Sequence, residues 1–177
     1  MAKIKTFSAG LLFCCLIFSC SSVKVYIVRH AEKSAEPKDN PHLTAAGQQR
    51  AEALSSLLRD KKISAIYSTE TNRTLETAAP LSRATGIPVQ PYRNDTLKKF
   101  LYDVLDSRKN SVIVGHSNSV IGMLDTLKLK HNVKEIPDND YDNLFIITRK
   151  AKRLRLQETI YGKKSPAPGD TAKPVMH

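Results

Sequence analysis

Two histidines stand directly after short apolar runs. His30, preceded by Arg29, follows Val23-Lys24-Val25-Tyr26-Ile27-Val28, and His116, preceded by Gly115, follows Ser111-Val112-Ile113-Val114. A third run, Ile63 to Ser68, leads toward Arg73 at the start of a helical pattern. An imidazole with its ordinary pKa of about 6.5 is largely neutral, and therefore nucleophilic, at neutral pH. A guanidinium offers planar, multidentate hydrogen bonding to phosphate oxygens. If the three runs are parallel neighbouring strands, their carboxyl ends gather Arg29, His30, Arg73 and His116 at one rim, where open α/β sheets place ligands. Two imidazoles and two guanidiniums there would make a phosphate site.

The elements that must position these groups are legible along the chain. A polar loop rich in charge and proline, Ala31 to His42, separates the first strand from a helix that Leu43-Thr44 opens, with Thr44 as N-cap and Ala51, Leu54, Leu57 and Leu58 at helical spacing. The helix after Ile63–Ser68 runs from about Thr71 to Ala84 and is stopped by Gly86 and Pro88, with a short extended segment to Pro91. Asn94-Asp95-Thr96 resembles an N-cap before a helix carrying Leu97, Phe100, Leu101, Val104 and Leu105. Another helix begins beyond His116, with its N-terminal backbone donors directed at whatever His116 touches. Leu144 to Thr148 and Leu154 to Thr159, joined by the basic Arg149–Arg153 segment, read as a hairpin at the sheet edge. The order predicts one three-layer α/β domain: a mostly parallel sheet, helices on both faces and a C-terminal antiparallel hairpin.

Length and composition set the frame. The chain has 177 residues, enough for one domain with a real core, and its 41% hydrophobic and 25% charged residues fit a soluble α/β protein. The first residues differ: Lys3 and Lys5 precede a short apolar stretch, Phe7 to Ser19, which reads as a secretory signal. Ile17-Phe18-Ser19-Cys20 resembles a bacterial lipobox, in which the cysteine is acylated, although Phe18 stands where a small residue is commoner; an ordinary signal peptide or uncleaved anchor is the alternative. These features predict a lipoprotein signal at 1–19, a domain at 20–162, a disordered tail at 163–177, and a place in the bacterial cell envelope, held to a membrane through lipidated Cys20. All three cysteines lie at or before Cys20, so the mature domain has no disulfide framework and no cysteine metal site. The net charge of +11 favours anionic ligands or an anionic membrane surface. With 6% aromatics and no binding module, nucleic acid is not expected as a partner.

Four motifs in order resemble the histidine phosphatase superfamily, the phosphoglycerate mutase-like proteins. Val28-Arg29-His30-Ala31-Glu32 is similar to its Arg-His-Gly signature, with alanine in place of glycine. Leu43-Thr44-Ala45-Ala46-Gly47 is similar to its Leu-Thr-x-x-Gly helix start. Ser68 to Ala78 is similar to its second arginine element, and Gly115-His116-Ser117-Asn118 to its second histidine element. The likeness spans about Val25 to Thr148.

The resemblance implies a phosphoglycerate mutase-like fold and a phosphomonoesterase that forms a phosphohistidine on His30, with no cofactor and no metal, acting on a small phosphorylated substrate. It assigns the phosphate clamp to Arg29 and Arg73 and a donor role to His116. It also has Glu76 orient Arg73, whereas helical spacing alone allows a plain Arg73–Glu76 pair. Asn118 is a substrate contact or a helix-start residue, Asn40 a phosphate contact in a loosely aligned loop, and Lys33 a further pocket residue or a solvated one. For the leaving-group acid Asp95 is the candidate and Glu32 the weaker one, since Ser117 stands where acid phosphatases of the family place aspartate. Only about forty residues separate Arg73 from His116, little room for the insert that closes the site in the mutases. A catalytically degenerate phosphate-ester binding module is the second class of reading. Oligomeric state is not legible.

Overall fold

The computed structural model describes residues 22–165; the signal expected at 1–19, Cys20 and the chain from 166 onward, with most of the tail expected to be disordered, lie outside the described residues. In chain order the elements are β1 (Val23–Arg29), α1 (Ala45–Leu58), β2 (Ile63–Ser68), α2 (Asn72–Thr85), β3 (Val89–Pro91), a 3-10 turn (Asn94–Thr96), α3 (Leu97–Asp106), β4 (Asn110–Gly115), α4 (Ser117–Thr126), β5 (Asn143–Lys150) and β6 (Arg153–Ile160). The six strands form one sheet in the order β3-β2-β4-β1-β5-β6. β1, β2, β3 and β4 are mutually parallel, whereas β5 runs antiparallel to β1, and β6 to β5. The expected hairpin is present, but of its two strands only β6 is an edge; β5 is an inner strand, and Arg149, Lys150 and Arg153 are strand residues, leaving a two-residue turn between Lys150 and Arg153.

Alternation along the strands sorts the core into two layers. Val25, Ile27, Ile113, Phe145 and Ile147 pack against Leu101, Val104 and Leu105 of α3 and Val120, Met123 and Leu124 of α4. On the other face Tyr26, Val28, Val112 and Val114 meet Leu54 and Leu58 of α1 and Ala78 and Leu81 of α2. The three-layer arrangement is therefore as the residue pattern predicts.

This layering decides where a site can form. β1 and β4 are neighbours, with Arg29 opposite Gly115, yet the helices that follow them lie on opposite faces of the sheet. Two adjacent parallel strands whose connections diverge leave a crevice at their carboxyl ends, the topological switch point. His30 and His116 are the first residues beyond those two ends, and the His30 N–H donates to the Gly115 carbonyl at 2.8 Å.

Candidate active site

The loop that leaves His30 is held by the helix-start motif. Thr44 caps α1, its Oγ1 accepting from the Gly47 N–H at 3.1 Å, while the Thr44 N–H donates to the Glu32 carbonyl at 2.9 Å. That carbonyl lies so close to α1 that a β-carbon on Gly47 would sit 2.2 Å from it, which explains the glycine. Arg50, 5% exposed, then grips the Glu32 carboxylate through Nε and Nη2 at 2.8–3.0 Å and reaches the carbonyls of Tyr161 and Lys163. Glu32 is thereby committed to an ion pair with Arg50. From the other side Thr77, fully buried one helical turn beyond Arg73, accepts from the Ala31 N–H at 2.9 Å.

With both flanks pinned, His30 is 3% exposed and its Nδ1 lies 2.8 Å from the Ala31 carbonyl. A carbonyl only accepts, so Nδ1 carries the proton and Nε2 keeps its lone pair. Burial, then the charges of Arg29, His116 and Arg73, lower the His30 pKa to about 3, against the opposing Ala31 bond. The His116 ring lies 5.5 Å from that of His30, and its pKa is lowered to about 4 by burial and by Arg73 and Arg29. Both imidazoles are neutral across the physiological range, the state that nucleophilic attack requires.

The structure brings together all four residues of the predicted constellation. Arg73 approaches the His116 Nδ1 through Nη2 at 3.3 Å, and its own pKa is lowered by burial and by the neighbouring Arg29 charge. Arg29, 3% exposed, donates through Nη1 to the carbonyls of Pro137 at 2.5 Å and Asp140 at 3.0 Å, and through Nη2 to Asp138 Oδ1 at 3.3 Å. The Tyr141 ring covers its guanidinium at 4.6 Å and lies 6.0 Å from His30. The Nε groups of Arg29 and Arg73 are buried and donate to no group of the described residues. Two cationic donors left unpaired beside two neutral imidazoles are an arrangement suited to an anion.

Several neighbouring residues are placed differently from expectation. Glu76 does not orient Arg73: Oε2 accepts from the Leu43 N–H at 2.7 Å and Oε1 pairs with His42, because the loop from His30 folds back over α2 and captures the carboxylate first. Asn40 turns its Oδ1 to the Asn72 N–H at 2.8 Å, capping the start of α2. Asn118 is exposed at the start of α4, its Oδ1 accepting from the Ser119 N–H at 2.8 Å. Asp95 caps no helix; it lies in the 3-10 turn and forms a two-point pair with Arg93 at 2.8 and 3.3 Å, and α3 starts without a side-chain cap. Lys33 is exposed.

The sequence reading passed over Thr69, Thr77 and Tyr141. Thr77 had a signal, since it stands four residues after Arg73 and so on the same helical face. Thr69 donors and acceptors matter because its Oγ1 lies 3.0 Å from the His116 Nε2 and 2.9 Å from the Thr74 Oγ1. Tyr141 comes from the irregular 129–142 connection, where no periodicity marks it.

Comparison with known proteins bears on the family and the fold. A family model described as the histidine phosphatase superfamily, branch 1, matches residues 25–109, which hold His30 and Arg73. A search of curated protein sequences finds no significant match. Among solved structures, a SixA protein of Agrobacterium tumefaciens, described as a phosphohistidine phosphatase, is 20% identical with a TM-score of 0.58, over 79% of this chain and 99% of that one. A mycobacterial glucosyl-3-phosphoglycerate phosphatase is 12% identical with a TM-score of 0.59, over 80% and 99%. A phosphoserine phosphatase of Entamoeba histolytica, in complex with 3-phosphoglyceric acid, is 14% identical with a TM-score of 0.60, over 80% and 98%. At these identities the likenesses establish the fold.

Proposed function

The chain belongs to the histidine phosphatase superfamily, and from that premise we propose that it is a metal-independent phosphomonoesterase acting through a phosphohistidine on His30. The observation that carries this reading is the gathering of two guanidiniums, Arg29 and Arg73, whose buried Nε groups find no partner among the described residues, around two neutral imidazoles whose rings are 5.5 Å apart.

In this reading the His30 Nε2 lone pair forms a bond to phosphorus as the ester P–O bond breaks. Arg29 and Arg73 neutralise the phosphoryl oxygens, and His116 donates to one of them through Nδ1. Of the two carboxylates considered for protonating the leaving group, Glu32 is held by Arg50, so we assign the role to Asp95. Its pair with Arg93 is largely exposed, 75% and 57% for the two side chains, and such a pair opens at little cost. Water then attacks the phosphohistidine, releasing phosphate and restoring neutral His30. Asn118 keeps its amide nitrogen for a substrate oxygen, whereas Asn40 acts through α2 by holding the turn that carries Arg73.

The substrate class we propose is a small phosphate ester, in keeping with the phosphorylated small molecules named for two of the structural neighbours. The signal-like segment before Cys20 supports work in the cell envelope on envelope-associated or scavenged esters. The test is hydrolysis of p-nitrophenyl phosphate by the purified protein in the presence of EDTA, combined with acid-quench trapping of phosphate on His30. Turnover in the wild type, its loss in His30→Ala and acid-labile label on His30 are expected. No turnover in the wild type, or equal turnover in the variant, would move the protein to the class of phosphate-ester binding modules.

A further inference from the structure

The rim opposite His30 and His116 carries an unusual charge pattern. β1, β2 and β4 start on it, and α1, α3 and α4 end on it. At three of the turns that follow these helices the backbone enters the left-handed region, and each time the residue is a cation: Lys62 at φ 54°, Arg108 at φ 55° and Lys128 at φ 53°. Glycine takes this conformation without strain and is the usual residue just past a helix end. The chain does use it after α2, at Gly86 with φ 72°. Compensation of the helix dipole does not account for the three cations. That gain is confined to the last turn, and the last turns of α1, α3 and α4 hold no basic residue.

The β5–β6 hairpin turns on the same rim, since Val23 at the start of β1 pairs with Arg149. There Lys150, Arg153 and Arg155 line a shallow groove together with Ser22 and Thr148. The two acidic residues of the neighbouring turns are already neutralised, Asp60 by Arg59 at 3.7 Å and Asp106 by Arg149 at 2.6 Å. Lys62, Arg108, Lys128, Lys150, Arg153 and Arg155 are all exposed, and none has an ion-pair partner among the described residues.

We propose that this rim is a docking face for an anionic phospholipid surface. The cations are spread over separate turns and do not converge on one cavity, so they suit many separate headgroups better than one small anion. Ser22, the first described residue, belongs to the groove. A surface held here would leave the crevice between β1 and β4 facing solvent on the far side. Each cation brought to such a surface strengthens attachment by about fivefold at low salt, and the attraction falls within a Debye length.

The test is flotation of the full chain with phosphatidylcholine vesicles, with and without about one third phosphatidylglycerol, at low and high salt. Tighter binding to the anionic vesicles, weakened by salt, is expected. The triple variant Lys62→Gly/Arg108→Gly/Lys128→Gly should lose that preference by at least tenfold. It should also keep its p-nitrophenyl phosphate activity, with a thermal midpoint that is not lowered, because glycine suits all three backbone conformations. Lys150→Glu/Arg153→Glu tests the hairpin independently. Residues 1–21 are common to all these chains, so differences among them isolate the rim. Equal binding to both vesicle types, no change in either variant, or preference for an oligonucleotide over the anionic vesicles would overturn the proposal.

Discussion

The His116 Nε2 and the Thr69 Oγ1 are 3.0 Å apart, while Arg73 Nη2 occupies the other side of the ring at 3.3 Å. Arginine only donates, so in this state the His116 Nδ1 accepts and Nε2 carries the proton, which it gives to Thr69. The Thr69 hydroxyl can in turn donate to Thr74 Oγ1 at 2.9 Å. For His116 to donate to a phosphoryl oxygen through Nδ1, the proton must change sides, and a hydroxyl is the one neutral partner that can reverse from acceptor to donor without moving.

Thr69→Val removes that reversible partner at nearly constant volume. The expected result is a fall in kcat of about tenfold to a hundredfold, with KM little changed and with recovery in Thr69→Ser. Steady-state kinetics on the three proteins decides the point; a Val variant as fast as the wild type, or a Ser variant as slow as Val, would remove Thr69 from the mechanism.

Asp138 places a carboxylate against the Arg29 Nη2 while its own side chain is fully exposed. A phosphoryl group approaching Arg29 therefore competes with it. Asp138→Asn should lower the inhibition constant of inorganic phosphate by about two- to fivefold, corresponding to the modest worth of an exposed pair. The difference should shrink in high salt. Phosphate binding unchanged by the substitution at low salt would show that Asp138 does not compete.

If Asp95 protonates the leaving group, its importance scales with how badly the leaving group needs a proton. Asp95→Asn should slow hydrolysis of an alkyl phosphate far more than that of p-nitrophenyl phosphate. Equal slowing of the two esters, measured as kcat/KM, would withdraw the assignment.

Both histidines are held neutral, at about 3 for His30 and about 4 for His116, against about 6.5 in the unfolded chain. Between these values the unfolded chain binds more protons than the native one, so acid favours unfolding. Stability should fall as pH drops below about 6.5, by up to about 1.4 kcal/mol per pH unit for each histidine, and these residues contribute no slope above that pH. Chemical denaturation across this range should show a steeper loss in the wild type than in His30→Asn/His116→Asn. A wild type equally stable at both ends of the window contradicts the burial-driven shifts.

The elements that carry the site were legible because local chemistry and periodicity agreed. Thr44 stated a helix start as its N-cap, and the unbroken apolar Val25 to Val28 run stated a strand covered on both faces. Glu76 was misread because its helical spacing to Arg73 is a local signal. The competing partners, His42 and the Leu43 N–H, come from a loop more than thirty residues away. Asn40 shows the same effect, since only the folded loop brings it to the first turn of α2. The cover over Arg29 could not be read at all, for Pro137 to Tyr141 form neither helix nor strand, and Pro137 and Asp140 act through backbone carbonyls, which every sequence possesses.

The pairing of Arg29 with Gly115 has a further implication for how this protein can change. The spacing of the two imidazoles is written into a backbone ladder, which mutation of side chains cannot easily edit, whereas the groups around them arrive on independent connections. Substrate choice is thus separable from reactivity. Side-chain changes on the connection between α4 and β5 should leave the two imidazoles in register, because the backbone pairing of β1 with β4 sets their spacing.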